Sequence, residues 1–157
     1  MSRIMDIARD IQPQPVKGTY AFVGVSKESS QKLYALYRGW LGEGVTPADD
    51  YHITVVYSRV PIEYKERTIF VPLDTTYYEL DLFGEKEDFL VLRILHPALN
   101  KLFEEGIDNG ATWDFPEYKA HISLFKNFKG GRKALDMVPL PDFTINLNKL
   151  TVSELED

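Results

Sequence analysis

Two of the chain's three histidines, His52 and His121, are each followed by one apolar residue and then a hydroxyl: His52-Ile53-Thr54 and His121-Ile122-Ser123. A pair of imidazoles suits transfer at a phosphodiester, where one group takes the nucleophile's proton and another protonates the leaving oxygen. Both protonation states of histidine are accessible near neutral pH, so one neutral and one protonated ring supply both roles. The phosphoryl oxygens gather negative charge during such a transfer, and the Thr54 and Ser123 hydroxyls are fixed donors for them. This chemistry calls for no metal and no cofactor. The third histidine, His96, precedes Pro97 at the start of a predicted helix and reads as structural.

Both motifs sit in strand-like runs, YHITVVYS over 51–58 and KAHISLFK over 119–126. Side chains two apart on a strand share a face. His52 and Thr54 therefore project together, with Tyr51, Ile53, Val55 and Tyr57 as a core row behind them. His121 and Ser123 likewise project together, in front of Tyr118, Ala120, Ile122 and Leu124. The apolar rows account for the strands but leave the polar pairs unexplained, and a cleft shared by the two runs would explain them. Lys119 falls on the His121 face by the same parity, either to meet phosphate or to stand at a solvated strand edge.

Elements that position these runs are legible along the rest of the chain. TYAFVGV (19–25) reads as a strand, followed by a helix in SKESSQKLYALYRGWLG with Leu33, Leu36, Tyr37, Trp40 and Leu41 at helical spacing. Further strands are predicted at 67–73, 76–84 and 88–95, the last two joined as a hairpin over Gly84-Glu85-Lys86-Glu87. HPALNKLFEEGI makes a second helix, with Pro97 in its first turn and Leu99, Leu102 and Phe103 as its apolar stripe. In FTINLNKLTVSEL the apolar parity changes between Leu147 and Leu150, which predicts a bulge near Asn148-Lys149. The order β-α-β-β-β-β-α-β-β contains two β-α-β units, each ending in a histidine motif. The class is α+β, with antiparallel sheet and the two helices on its outer faces.

At 157 residues, 44% hydrophobic and 13% aromatic, the chain is expected to fold as one domain over 19–157, behind a leading segment 1–18 that holds Pro13, Pro15 and Gly18. The absence of cysteine excludes disulfides, a thiolate nucleophile and a sulfur-built zinc site. No apolar run approaches the ~18 to 20 residues of a membrane span, and the charged start MSRIMDIARD does not read as a signal peptide. A soluble, cytoplasmic protein is expected. The net charge of −6 disfavours a long nucleic-acid partner, which needs a basic footprint, but not a small phosphorylated ligand in a locally positive pocket. KNFKGGRK (126–133) is one such patch, and it equally fits a solvated loop or hairpin turn.

The two His-x-Ser/Thr motifs, each on a strand after a β-α unit, resemble those of the two-histidine (2H) phosphoesterase superfamily. TYAFVGV, YHITVVYSR and FPEYKAHISLF resemble in particular the phage anti-CBASS cyclic-oligonucleotide phosphodiesterases, over most of the chain from Thr19 onward. The resemblance implies a bilobal, pseudo-twofold fold with the motifs facing across a central groove. It implies degradation of the cyclic di- and trinucleotide messengers of a bacterial antiphage system, cyclic GMP-AMP among them, in the host cytoplasm. His52 and His121 become the acid/base pair, and Thr54 and Ser123 the phosphate ligands, Ser123 standing where threonine is commoner but keeping the hydroxyl. Tyr20 is nominated to stack on a base and Glu154, in TVSELED, as the closing glutamate. Trp113, in the loop before the second motif, is a further stacking candidate or an anchor of the core. Two other functions fit the same residues: 2H activity on linear RNA ends carrying 2′,5′-linked or 2′,3′-cyclic phosphate, and sequestration of cyclic nucleotides without cleavage. Nucleotide preference, oligomeric state and which histidine is acid and which base are not specified by the sequence.

Overall fold

The computed structural model describes residues 16–39 and 44–156. Strand β1 (Thr19–Val25) alternates buried Thr19, Ala21, Val23 and Val25 with half-buried Tyr20, Phe22 and Gly24. Helix α1 (Lys27–Arg38) begins at Ser26, whose hydroxyl accepts the Ser29 N–H at 3.2 Å, and it buries Leu33 and Tyr37. Trp40 and Leu41 of the predicted stripe lie outside the described residues, as does most of the leading segment. There follow β2 (His52–Ser58), β3 (Arg67–Leu73), β4 (Tyr78–Phe83), β5 (Phe89–Ile94), α2 (Pro97–Asp108), β6 (His121–Phe125), a short helical turn α3 (Gly131–Ala134) and β7 (Ile145–Glu154). The order expected from the sequence is observed, with α3 added.

The strands form two antiparallel sheets, β2-β1-β7-β3 and β4-β5-β6. Strands β2 and β6, which carry the histidines, are edge strands of their respective sheets and adjoin each other. The loop ahead of β2 is stitched to β6 by Thr46 N–H to Leu124 O at 3.0 Å and Lys126 N–H to Gly44 O at 2.8 Å. One hydrophobic cluster draws on both sheets: Ala21, Val23, Ile53 and Leu147 from the first, Leu92, Ile122 and Leu124 from the second, with Leu33 and Leu99 from the helices.

Four details depart from the sequence reading. Strand β4 starts at Tyr78 rather than residue 76, because Asp74 accepts the Thr76 N–H at 2.9 Å and caps a 3-10 turn over Thr75–Tyr77. Strand β6 starts at His121, so Tyr118, Lys119 and Ala120 precede the sheet instead of belonging to it. Ala21 pairs with Val56 and Phe22 with Thr54, which makes Val55 an extra residue on β2. Both Val55 and Val56 are buried, and Tyr57 is carried over to the histidine face opposite Tyr20 instead of joining the core row. The basic stretch 126–133 is neither a hairpin nor wholly solvated: Arg132 in α3 pairs with Asp81 at 3.0 Å and Glu87 at 3.2 Å.

The other expected irregularities are present. Gly24 pairs with Lys149 and Val25 with Leu147, so Asn148 is the extra residue of a bulge in β7. The β4–β5 hairpin turns at Gly84, where φ is 94° and an added Cβ would meet the Phe89 ring at 2.7 Å, so glycine is needed on both counts.

Candidate active site

His52 and His121 occupy matching places in the two sheets. Each opens its strand and faces the penultimate residue of the strand before the connecting helix: Gly24 opposite His52, Arg93 opposite His121. Just ahead of each motif the main chain makes the same bond, Val25 N–H to Tyr51 O at 3.3 Å and Ile94 N–H to Ala120 O at 2.9 Å. The rings are held alike. Nδ1 of His52 lies 2.8 Å from the carbonyl of Asp50, and Nδ1 of His121 lies 2.8 Å from the carbonyl of Lys119. A carbonyl only accepts, so Nδ1 carries the proton in both rings and Nε2 is left as the nitrogen that exchanges protons. An aromatic edge flanks each ring, Phe22 at 5.3 Å from His52 and Phe83 at 4.6 Å from His121.

Burial pushes the His121 pKa below the usual histidine value. Its bond to the Lys119 carbonyl favours the charged ring, while the positive charges of His52 and Arg93 disfavour it further. The His121 ring is therefore biased toward its neutral form. The influence of His52 on it also puts the two rings within one electrostatic field.

The hydroxyls stand beside them. Thr54 is half-buried, with Oγ1 3.2 Å from the Tyr20 hydroxyl. Burial raises the Tyr20 pKa, with the Thr54 bond working the other way, so Tyr20 stays a neutral phenol. Tyr118 donates to the Thr54 carbonyl at 2.6 Å, so the segment leading into the second motif holds the backbone of the first. Ser123 is exposed on the His121 face. Lys119 stands next to His121 with Nζ 3.5 Å from Glu117 and 6.0 Å from the Phe83 ring.

Trp113 and Glu154 are placed elsewhere. Trp113 packs at 5.2 Å from Phe103 and 5.5 Å from Tyr118, and its Nε1–H is donated to the Glu117 carbonyl at 3.1 Å; it anchors the cluster that orients Tyr118. Glu154 pairs in register with Thr19, on the sheet face opposite Tyr20, and its exposed carboxylate lies 3.8 Å from Lys17. Strand β7 instead presents Lys149, Thr151 and Ser153 to the histidine face, opposite Gly24, Phe22 and Tyr20. His96 caps α2 by accepting the Ala98 N–H at 3.0 Å on Nδ1, the structural role read from the sequence.

Arg93, which belongs to neither histidine motif, also stands on this face, opposite His121. It is the one charge in the otherwise apolar run FLVLRI, and that interruption of an apolar strand is the signal by which it is recognisable. Among the described residues no three metal-binding side chains of His, Asp or Glu gather at one point.

The fold is that of known phosphoesterases. The crystal structure of a phosphoesterase superposes with a TM-score of 0.57 at 11% identity, covering 88% of each chain. Escherichia coli LigT in complex with 3'-AMP does so with a TM-score of 0.57 at 12% identity, over 90% of this chain and 89% of its own. In sequence, anti-CBASS protein Acb1 of Acinetobacter phage Ac42 is 33% identical over 109 residues, 69% of this chain and 72% of its own length. The protein of the same name from Vibrio phage KVP40 is 30% identical over 115 residues, with the same two shares. The family described as anti-CBASS protein Acb1 matches residues 17–157, and the chain belongs to that family.

Proposed function

We propose that the protein is a metal-independent phosphodiesterase that opens 3′–5′ linkages of cyclic di- and trinucleotides and so counters CBASS immunity in the host bacterial cytoplasm. The carrying observation is the duplicated histidine geometry, with each Nδ1 bound at 2.8 Å to a carbonyl two residues behind it, which leaves each Nε2 for chemistry. Neutral His121 takes the proton of a ribose 2′-OH or a water as the new P–O bond forms. His52, protonated, gives its proton to the departing 5′-oxygen as the P–O5′ bond breaks. Attack by the 2′-OH yields a 2′,3′-cyclic phosphate, which the same pair hydrolyses with the roles reversed. Thr54 and Ser123 donate to the phosphoryl oxygens, and Tyr20 offers its ring to a base. Family membership and the phosphoesterase fold support this reading. No helix among the described residues is long and apolar enough to cross a membrane.

The test is cleavage of cyclic GMP-AMP and a panel of cyclic di- and trinucleotides in excess EDTA, with products followed by mass spectrometry. Linear products are expected, with losses of about 10²- to 10⁴-fold in kcat for His52→Ala and for His121→Ala. Full activity in both variants would sink the proposal, and intact nucleotide recovered from a tight complex would make the protein a sponge.

A further inference from the structure

We propose that Arg93 is a phosphate ligand of this site, its guanidinium binding a non-bridging oxygen of the phosphodiester beside His121; the proposal rests on the phosphodiesterase reading above. Three adjacent strands put Glu79, Arg93 and His121 in one row of the sheet, each opposite the next. Residues paired across strands share a face, so Arg93 stands on the face of His121 and Ser123, one strand spacing of about 4.8 Å from the histidine strand. Its Nη1 makes only a long contact, 3.4 Å, with Glu79. Its Nε is buried with no hydrogen-bond partner among the described residues. A buried N–H without an acceptor is unfavourable, and the guanidinium fork of Nε and Nη matches a pair of phosphate oxygens. An incoming phosphate would satisfy that donor.

The other half of the site has no cation at the matching position. The position matching Arg93 is Gly24, where an added Cβ would meet nothing nearer than Asn148 Oδ1 at 3.6 Å, so packing does not impose the glycine. The two halves are thus chemically unequal: an arginine stands directly opposite His121, whereas Gly24 stands opposite His52 and the exposed Lys149 comes one strand further on. The other charged groups on this side include Glu79 and Asp81 on β4, the latter bound to Arg132, Lys119 held by Glu117, and Lys149 on β7. Across the boundary between the sheets, His52 acts on His121 from β2.

The experiment compares Arg93→Gln, Arg93→Lys and Glu79→Gln with wild type in steady-state cleavage of cyclic GMP-AMP, with thermal melts of every variant. Arg93→Gln is expected to lower kcat/KM by about 10- to 100-fold. Arg93→Lys regains only part, because an ammonium keeps the charge and loses the fork. Glu79→Gln retains wild-type activity. Independently of turnover, NMR titration of the His121 ring moves to higher pH in Arg93→Gln. Wild-type kcat/KM in Arg93→Gln, or equal losses in Arg93→Gln and Glu79→Gln, would overturn the proposal. Activity that survives in both histidine variants strikes the phosphodiesterase reading instead. If the wild type binds without cleaving, calorimetric affinity replaces kcat/KM and the same comparison applies.

Discussion

A histidine whose Nδ1–H is committed to a carbonyl has one nitrogen left for chemistry, and both rings here are committed in the same way. What separates them is charge. His121 has Arg93 opposite it, where His52 has Gly24, and burial, His52 and Arg93 together depress its pKa. A lowered pKa keeps the neutral base available at lower pH, so the ascending limb of kcat/KM against pH is expected below about 6.5, the ordinary histidine value. Replacing His52 by alanine removes one of the opposing charges, and NMR titration of His121 in that variant should then move upward; an unmoved titration would separate the two rings. The candidate set of His52, Thr54, His121 and Ser123 was legible in the sequence because its signal is local: residue type and a spacing of two. Arg93 was not, since a lone arginine in a strand reveals its neighbour only after β5 is paired with β6.

Elements were legible wherever the apolar pattern carried them. The bulge in β7 was readable because Leu147 and Leu150 fall out of phase, whereas the bulge in β2 falls on Val55-Val56, apolar in either phase, and left no trace. That hidden bulge is what brings Tyr57 round to Tyr20, at 6.2 Å between rings. The shortened start of β6 has a similar cause, because Tyr118 suits a strand by propensity but donates instead to the Thr54 carbonyl at 2.6 Å. Tyr118→Phe is expected to cost about 1 kcal/mol in chemical denaturation, the ordinary worth of such a bond. It should also lower kcat more than it raises KM, because the backbone it releases carries Thr54.

At the scale of the molecule, the residue between histidine and hydroxyl in each motif, Ile53 or Ile122, is fully buried in the cluster that both sheets share. The site is thus the polar front of the core itself. Ile53→Ala and Ile122→Ala should each destabilise by about 2–5 kcal/mol in denaturant melts, lowering one cooperative transition rather than splitting it. The bond from each ring to the chain two residues behind it has a wider consequence. Asp50 and Lys119 hold the imidazoles with their main chains and leave their side chains uncommitted to that task. Substitution at either position can retune the charge beside a histidine without disturbing its tautomer, so alignment and acidity are under separate control.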